Sequence, residues 1–539
     1  MKSILTCLIL LVVSNPVYSQ KSRQLEKLLT AYDKAGLFSG SVLIAEKGKI
    51  IFEKSYGCRN APKKEKNTNN SLYRIYSTTK MFTTVVILQL EEQGKLSLND
   101  KLSKYYPAFP KGDSITIANI LSHTSGIPSD ENSDNTVDEN TLIKYLSAKS
   151  LDFSPGTDWN YSNSGFYILG HIIKKVTGLD YDKAIESYIL QPLQMTHTGF
   201  HFNDVTNENK AFGYEFLSDN FSNEALRFKT DHPFAAGAMY STVEDLFKFN
   251  EGLKNYKILM KETLEKAFTP FLKDHYGLGF QISTVFDKKR VGHDGGGPGY
   301  RSRYYRVLED DICVIVISNS ELSHTEFIIP TIEKILYEKP YSIPTIVKTN
   351  PKDLKKIAGT YSNENTDFFI SIIDGQIIFR EKNYSMCSLM PVSNTVYQLD
   401  EKFTFTFQSG STREMDSVTI HFRDGTVKTA TRSTKNFLWG IIGDATPGGW
   451  EGKDIPMQTD LKKPDIYFLK NYKLNKGKLK FRFDNDWGYN LGLNNDGKSI
   501  ALNAYDFPIE ETGNYDIVLD MTNQVKPQYS IKKSFPVKN

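Results

Sequence analysis

The feature of this chain that most constrains its fold is a serine and a lysine one helical turn apart, at the start of a long apolar segment. Ser77 and Lys80 stand at positions i and i+3, which a helix places close together on one face. Apolar residues then follow without Pro or Gly until Gly94, a residue typical of the position after a helix: Met81, Phe82, Val85, Val86, Leu88 and Leu90. The sequence therefore predicts a largely buried helix that opens with a hydroxyl and a cation. This pair suits nucleophilic catalysis, because the N–H groups and the dipole at a helix start favour a developing oxyanion.

Two plainer interpretations of this motif have to be weighed. Ser77 can be only the N-cap of the helix, a role that serine often fills. The same Ser-x-x-Lys pattern also occurs at Ser530 and Lys533, within an alternating stretch, 529–535, that predicts a terminal strand. Because no helix follows the second copy, we treat it as a chance match. The context of the first copy and the motifs that come after it distinguish it from the second.

Two further short motifs carry groups that complement a nucleophilic serine. Tyr161-Ser162-Asn163 follows a turn-rich loop and precedes an apolar helix, predicted from about 164 to 176 and ended by Gly178. It supplies a phenol that can pass a proton and an amide that can orient a carbonyl. His293-Asp294-Gly295 stands before a predicted β-hairpin, 300–318, and supplies a polar side chain and open backbone N–H groups for an oxyanion. Together the three motifs indicate an acyl-transfer site.

A fourth segment, Leu121 to Gly126, reads Leu-Ser-His-Thr-Ser-Gly and completes the ordered set. On these four motifs the chain resembles the serine β-lactamase and penicillin-binding-protein superfamily, specifically its class C branch with the related D,D-peptidases, D-aminopeptidases and esterases. The resemblance implies that Ser77 is the nucleophile, that Lys80 keeps the local field positive, and that Tyr161 takes the serine proton and returns it to the leaving group. Whether Lys80 or Tyr161 is the resting base stays open, because a nearby cation lowers the pKa of a phenol from its ordinary value of about 10.

The resemblance also implies the substrate-binding groups. Asn163 is expected to donate to the substrate carbonyl or to the lysine, although an Asx turn is the plainer interpretation of this asparagine. The oxyanion hole is expected to consist of the N–H of Ser77 and that of Gly296. His293, Gly295 and Gly296 are therefore expected to contact substrate.

His293 is the position where the chain departs from the β-lactamase pattern, in which a Lys-Thr-Gly triad usually stands. A lysine is a permanent cation that suits a substrate carboxylate, whereas a histidine with its ordinary pKa near 6.5 is mostly neutral at pH 7. Since the His-x-Gly version occurs in esterase and peptidase-like members, efficient hydrolysis of β-lactam antibiotics is not expected. Asp294 can raise the histidine pKa and partly restore the cation. A histidine that only fills a turn is the alternative.

Other function classes find no support in the sequence. Neither the Gly-x-Ser-x-Gly elbow of α/β-hydrolases nor a His-Glu-x-x-His motif occurs, and the nine histidines stand singly, so no metal site is expected. Walker and Rossmann glycine patterns are also missing, so no cofactor is expected. A net charge of +3 over 539 residues gives no basis for nucleic-acid binding.

The N-terminus indicates export. Lys2, an apolar run from 4 to 13 and a Val-Tyr-Ser end predict a signal peptide over residues 1–19, with cleavage after Ser19. The run is too short for a transmembrane helix, and no later stretch reaches the required length. A periplasmic or extracellular location is expected, and the side of the outer membrane that the protein faces stays open. The remaining cysteines predict no disulfide framework: Cys58, Cys313 and Cys387.

Changes in residue pattern predict a multidomain chain. The pattern of residues 20–345 predicts an α+β domain, and the resemblance specifies a β-lactamase-like antiparallel sheet flanked by helices, plus an all-helical region, with the site between them. Short alternating strands separated by Asp-Gly turns predict a small β-barrel-like domain over 346–434. Residues 435–539 resemble the β-sandwich modules of bacterial outer-membrane starch-binding proteins. Two all-β domains are thus expected after the α+β domain.

The last domain carries candidate sugar-binding aromatics. Trp450, Trp487 and Tyr489 can stack on sugar rings, but such aromatics are at least as often core and turn anchors of a sandwich. A glycan partner for this domain is therefore an expectation with an equally strong structural alternative.

The motifs together predict a secreted serine hydrolase that forms an acyl-enzyme with peptides containing D-amino acids or with small esters. A true β-lactamase or D,D-carboxypeptidase is the alternative within enzymes. A carbohydrate-binding protein with a vestigial hydrolase domain is the alternative from another class, and the intact motif set argues against it.

Overall fold

The fold is described from a computed structural model. The structure describes residues 16–129, 138–218, 220, 222–226, 233–272, 275–343, 345, 347, 349–382, 386–409, 415–435, 437–460, 463–494, 496–524 and 526–534. Most of the predicted signal peptide lies outside these residues, and its last residues begin helix α1 (Pro16–Lys34). In the part of the chain that the structure describes, no helix combines the length and the apolar character that a bilayer crossing requires.

The other helices belong mainly to the first domain. They are α2 (Thr79–Glu92), α3 (Ile117–Leu121), α4 (Glu139–Ser147), α5 (Asn163–Thr177), α6 (Tyr181–Ile185), α7 (Gln191–Leu193), α8 (Phe234–Gly237), α9 (Val243–Lys254), α10 (Lys261–Ala267), α11 (Thr325–Leu336) and α12 (Pro351–Ile357). Local sequence sets their ends, because side chains of Thr116, Asp138 and Thr242 cap α3, α4 and α9. Gly178, with φ of 74°, ends α5 in the left-handed conformation that glycine adopts readily.

The first domain is built on an antiparallel sheet that separates two cores. The strands of this domain are β1 (Gly40–Glu46), β2 (Lys49–Tyr56), β3 (Cys58–Asn60), β4 (Glu65–Lys66), β5 (Tyr73–Arg74), β6 (Tyr214–Leu217), β7 (Ser222–Glu224), β8 (Tyr240–Ser241), β9 (Gln281–Val285), β10 (Lys288–Gly297), β11 (Tyr300–Val307) and β12 (Ile312–Ser318). Six of them form the main sheet, in the order β2-β1-β12-β11-β10-β9. Along β1, Val42 and Ile44 pack with α1 and α11, whereas Leu43 and Ala45 pack with the helical region around α2. The site predicted from the sequence falls on the α2 side of the sheet.

The second domain is a closed antiparallel barrel. Its strands are β13 (Gly359–Ser362), β14 (Asp367–Ile373), β15 (Gln376–Glu381), β16 (Cys387–Pro391), β17 (Val396–Asp400), β18 (Phe403–Ser409), β19 (Met415–His421) and β20 (Val427–Arg432). Alternating apolar residues such as Phe405 and Phe407 fill its interior. Because β13 pairs with β20, closure leaves no strand of the barrel with a free edge among the described residues.

The third domain consists of two antiparallel sheets around a shared core. Its strands are β21 (Trp439–Ile442), β22 (Ile455–Pro456), β23 (Gln458–Asp460), β24 (Lys463–Leu474), β25 (Gly477–Phe483), β26 (Asp486–Leu493), β27 (Ile500–Leu502), β28 (Phe507–Ile509), β29 (Gly513–Asp520) and β30 (Gln528–Lys533). One sheet has the order β22-β21-β25-β26-β27, and the other has the order β23-β24-β29-β30. Phe481 from the first sheet and Ile517 from the second are fully buried in the same core.

A buried ion pair joins the barrel to the third domain. Arg380 of β15 pairs with Asp486 of β26, and both side chains are almost wholly buried. The guanidinium also lies over the rings of Phe369 and Tyr489, at 4.1 and 4.5 Å from their centroids. Removal of either partner from such a buried pair leaves an uncompensated charge, so the two domains depend on each other at this junction.

The third domain also contacts the first domain through Glu215. Its carboxylate accepts the backbone N–H of Leu502 at 3.0 Å, and burial together with the neighbouring Glu321 raises its pKa. Glu321 in turn accepts the N–H of Gly299, in the turn between β10 and β11, at 2.7 Å. Two adjacent carboxyl groups therefore link the third domain to the strand pair that carries the His293 motif.

The structure confirms the predicted fold class, an α+β domain followed by two all-β domains. The terminal strand predicted at 529–535 is confirmed as far as Lys533, in β30, and Phe535 lies outside the described residues. The domain boundaries stay predictions. The hairpin predicted at 300–318 is confirmed as β11 and β12, and the His293 motif that leads into it lies within strand β10. One local expectation is corrected. Ser77 lies in a 3₁₀ turn, Tyr76–Thr78, that precedes α2.

Candidate active site

Lys80 is the centre of the candidate site. Its side chain is 0% exposed. Its ammonium donates to three oxygens, Ser77 Oγ at 3.2 Å, Asn163 Oδ1 at 2.7 Å and the Ala236 carbonyl at 2.9 Å. A charged group is buried at tolerable cost only where its hydrogen bonds are satisfied, and an ammonium carries three donors. Every donor has a partner here, so the cation is held in one place beside the serine hydroxyl.

Ser77 is half-buried and is not a helix cap. The N-cap position of α2 is Thr78, whose side chain makes no capping bond. The N-cap interpretation of Ser77 is therefore wrong. The residue before it, Tyr76, has φ of 43°, a left-handed conformation that is rare for a bulky side chain. Strained backbone of this kind is often found at functional sites.

The Tyr161-Ser162-Asn163 motif lies at the start of α5. Ser162 is the cap, since its Oγ accepts the N–H of Gly165 at 3.2 Å. Asn163 is therefore not needed as a cap, and its side-chain oxygen accepts from Lys80. The expectation that Asn163 donates to Lys80 is thus reversed, and the Asx-turn alternative is wrong. The Lys80 ammonium also lies 4.8 Å from the centroid of the Tyr161 ring.

Half of strand β10 presents a free edge next to the turn that carries Ser77. In the described part of the chain, β9 pairs only with the segment Lys288–Gly292. The N–H of Asp294 points away from β11, to the side chain of Gln281 at 3.3 Å. Because N–H directions alternate along an antiparallel strand, the N–H of Gly296 points to the same free side. That direction is the one that an oxyanion hole with the Ser77 N–H requires.

Gly295 and Gly296 differ in why they lack a side chain. A Cβ on Gly295 would lie 2.0 Å from the carbonyl oxygen of Ile75 and 2.3 Å from Ser302 Oγ. The Ser302 hydroxyl donates to that same carbonyl at 2.7 Å. A Cβ on Gly296 would meet only Arg301, at 3.6 Å. Gly295 is therefore required for β10 to lie against the segment that leads to Ser77, and Gly296 is not.

His293 is 1% exposed and neutral at pH 7. Its Nδ1 lies 2.6 Å from the Asp294 carbonyl oxygen, and its Nε2 lies 2.9 Å from the hydroxyl of Tyr276. Burial, and next the charge of Lys80, lower the pKa of His293 to about 4. Asp294 does raise the pKa of His293, as expected, but burial and Lys80 outweigh it, so the cation is not restored. The Asp294 carboxylate pairs instead with Arg303 at 2.7 Å. The turn-filling alternative is wrong too, because His293 lies in a strand.

Two buried residues of the site were missed by sequence reasoning. His123 Nδ1 accepts the N–H of Ser162 at 3.1 Å, and its Nε2 lies 3.2 Å from the Tyr276 hydroxyl. The His123 ring also packs on Tyr161, with 4.3 Å between centroids. His123 had a signal, because it stands in the Leu121–Gly126 motif. Tyr276 had none, because only the tertiary structure brings it here.

The aromatics of the third domain are divided between two places. The rings of Trp450 and Trp487 lie 6.2 Å apart, Trp487 is 44% exposed, and Arg482 stacks on it at 4.3 Å. Tyr489 instead packs on Trp439 at 4.9 Å, at the barrel interface. The structure thus brings together the two tryptophans and separates Tyr489 from them. Among the described residues, no three His, Cys, Asp or Glu side chains are grouped to hold a metal ion.

An antiparallel sheet beside a helical region, with a serine next to a buried lysine, defines a class of serine hydrolase. A comparison with protein families gives the name of this class. The family model described as Beta-lactamase matches residues 25–335, which is more than half of the chain. The chain belongs to the beta-lactamase family.

Several known proteins are similar to this chain. Penicillin-binding protein 4* of Bacillus subtilis (strain 168) is 30% identical over 366 residues, which cover 63% of this chain and 80% of the relative. The structure of the octameric penicillin-binding protein homologue from Pyrococcus abyssi has a TM-score of 0.55 and 26% identity, and the match covers 76% of this chain and 98% of that one. The D-amino acid amidase from Ochrobactrum anthropi SV3 shares the fold, with a TM-score of 0.53 and 22% identity over 59% of this chain and 99% of that one. The first two of these proteins are named as penicillin-binding proteins or their homologues.

Proposed function

We propose that the protein is a secreted hydrolase of the class C β-lactamase-like type that forms an acyl-enzyme at Ser77. The observation that carries the proposal is that the Lys80 amine makes three hydrogen bonds, one of them to the Ser77 hydroxyl at 3.2 Å. A serine hydroxyl is a weak nucleophile near neutral pH, and an adjacent cation or base lowers the cost of removing its proton.

The proposed reaction starts with transfer of the Ser77 proton to Tyr161 or to Lys80. The three contacts of Lys80 also fit a neutral amine, which accepts the serine proton and donates to Asn163 and Ala236. Both residues therefore remain candidates for the base. Once Ser77 attacks the acyl carbon, the same proton passes to the leaving group, and water later releases the acyl group by the reverse route.

The oxyanion of the tetrahedral intermediate is proposed to accept hydrogen bonds from the N–H groups of Ser77 and Gly296. Removal of one such donor typically slows the reaction by about 10²- to 10³-fold. Among the described residues, no group accepts from the Asn163 NH₂, and we assign that donor to the carbonyl of the substrate. Asn163 thus has two tasks, one toward Lys80 and one toward the substrate.

We propose peptides with D-amino acids or small esters as substrates. The free edge of β10 suits an extended, peptide-like acyl donor that adds as a strand. The buried and neutral His293 offers no cation to a free carboxylate. The main alternative is a true β-lactamase or D,D-carboxypeptidase, which the similarity to penicillin-binding proteins favours. Export through the signal peptide at 1–19 is part of the proposal.

Intact-mass spectrometry tests the proposal. The protein is incubated with a fluorophosphonate and, separately, with a penicillin, and Ser77→Ala serves as the control. A single fluorophosphonate adduct that Ser77→Ala loses supports an activated serine of esterase or peptidase type. A persistent penicilloyl adduct supports the penicillin-binding alternative. No adduct from either probe contradicts the proposal and favours a binding protein with a vestigial hydrolase domain.

A glycan-binding role for the third domain is a second candidate. The observation that favours it is the pair formed by the half-buried Trp450 and the exposed Trp487, which offers two rings to a sugar chain. Tyr489 is not part of this surface. Retention on immobilised starch tests the idea, with Trp487→Ala as the variant. Tyr256→Ala is the control, because Tyr256 is also exposed but lies in the first domain. Equal retention of all three proteins contradicts it.

A further inference from the structure

A continuous chain of buried hydrogen bonds connects the Tyr161 loop to strand β10. It runs from the Ser162 N–H to His123, then through the Tyr276 hydroxyl to His293, and ends at the carbonyl of Asp294. The four distances are 3.1, 3.2, 2.9 and 2.6 Å. His123, Tyr276 and His293 are at most 2% exposed. One end of this series of hydrogen bonds lies in the Tyr161 motif, and the other lies in the strand that carries Gly296.

The direction of every bond in this chain is fixed by its ends. The Ser162 N–H can only donate, so His123 Nδ1 accepts and, in a neutral ring, Nε2 carries the hydrogen. The Asp294 carbonyl can only accept, so His293 Nδ1 carries the hydrogen and Nε2 accepts. Tyr276 therefore receives from His123 and donates to His293. The two imidazoles have opposite tautomers. A second proton on His123 removes its bond to the Ser162 N–H, and a second proton on His293 reverses its bond to Tyr276, whose hydroxyl then loses its acceptor.

Electrostatics favour this neutral state. Burial is the first cause that lowers the pKa of both histidines, and the charge of Lys80 is the second. The other titratable groups near His293 are Tyr161, Tyr276, Tyr304 and Asp294. Burial raises the pKa of Tyr276, so its hydroxyl stays protonated and can donate. Lys80 and Asp294 are the charged groups that act on His293, and the Asp294 carboxylate is paired with Arg303.

We propose that Tyr276 is a positioning residue of this hydrolase, which holds the Tyr161 loop and the oxyanion strand at a fixed separation through His123 and His293. The inference rests on the proposed function. Tyr276 donates no proton to the substrate and forms no covalent bond in the reaction. It acts on Tyr161 through the packed His123 ring, and on Gly296 through the strand that His293 anchors.

Tyr276→Phe tests the proposal with little change of volume. We expect the rate constant for fluorophosphonate labelling of Ser77 to fall by about 10- to 100-fold, because misplacement of reacting groups by about 1 Å costs rate on that scale. We also expect the acid limb of labelling to move to higher pH. Tyr276 stabilises neutral His293 by donating to it, so its loss raises the pKa of that ring. A residue with only a packing role would not move this limb.

Tyr304→Phe is the matched control. It removes a fully buried tyrosine hydroxyl on the neighbouring strand, whose partner is Asn250 at 3.3 Å. We expect its labelling rate and pH profile to match the wild type. Wild-type rate and profile in Tyr276→Phe would overturn the proposal, whereas failure of the wild type to label at all would overturn the proposed function instead.

The imidazole tautomers provide a test that needs no variant. Nitrogen-15 NMR of histidine-labelled wild-type protein is expected to show His123 with the hydrogen on Nε2 and His293 with the hydrogen on Nδ1 at pH 7. His123→Gln and His293→Gln assign the two signals. Identical tautomers, or a protonated ring at pH 7, would contradict the chain of bonds even if Tyr276→Phe fails to fold.

Discussion

Ser77 and Lys80 lie together at the start of α2, whereas the same motif at Ser530 and Lys533 lies on β30. In the first copy the amine is fully buried and bonds to the serine. In the second copy Lys533 is exposed and pairs with Glu511, and residues three apart on a strand point to opposite faces. The spacing is identical, so spacing does not decide the chemistry. The backbone conformation and the partners that surround the amine decide it.

Replacement of the two serines gives the largest expected contrast. Ser77→Ala removes the nucleophile and should lower turnover of any ester or peptide substrate by roughly 10⁴- to 10⁶-fold. Ser530→Ala should leave turnover and fluorophosphonate labelling unchanged. Steady-state rates and intact mass measure both. Equal loss in the two variants, or full turnover in Ser77→Ala, would remove the distinction.

The two lysines give the next contrast. Lys80→Met should lower kcat by about 10³-fold, because the serine loses its adjacent cation or base. Its free energy of unfolding should change by less than about 2 kcal/mol, since lost bonds to Asn163 and Ala236 are offset by removal of a buried charge. Lys533→Met should alter neither the rate nor the melting temperature. Loss of activity through unfolding of Lys80→Met, seen by circular dichroism, would argue for a structural role instead.

The two glycines of β10 show what the surroundings of Ser77 require. Gly295→Ala places a Cβ 2.0 Å from the Ile75 carbonyl, so β10 must move away from the Ser77 turn. A shift of about 1 Å should lower kcat/KM by about 10²-fold. Gly296→Ala meets only a flexible Arg301 side chain at 3.6 Å and should lose less than about threefold by the same argument. Kinetics in which Gly296→Ala is the worse variant would contradict the packing assigned to Gly295.

Acid pH should lower the free energy of unfolding through the buried histidines and not through the exposed ones. The effect should be smallest near neutral pH. His293 and His324 have pKa values lowered to about 4 by burial, against an ordinary 6.5. Between these values the unfolded chain binds more protons, so stability is complete above about pH 6.5 and falls as the pH falls. Each histidine should lower the free energy of unfolding by about 2 kcal/mol at pH 5 and about 3 kcal/mol at pH 4.

Urea unfolding between pH 4 and 8 measures this slope. His324→Gln should reduce the slope, whereas His197→Gln, at an exposed position, should not. A flat stability profile from pH 8 to pH 5 would contradict the neutral, buried state of these rings.

Much of the candidate site was predictable from local sequence. Ser77, Lys80, Tyr161 and Asn163 could be named because their motifs lie where helices begin, and helix starts have clear signals such as the Ser162 cap and Gly178. The fold class followed from the same periodicities. The signals were weaker in the barrel, where strands such as β16 and β20 carry little apolar alternation and were not predicted.

The sequence by itself determined the order of the motifs, the helix that opens beside Ser77 and the all-β character of the last two domains, because these depend on residues near one another in the chain. The tertiary structure alone decided the charge state of His293 and the roles of His123 and Tyr276. Burial and the hydrogen bond between His293 and Tyr276, 17 residues apart, set those properties. Local sequence spacing encodes neither of them. It also decided that Tyr489 lies at a domain junction, since the Arg380 that covers it comes from another domain.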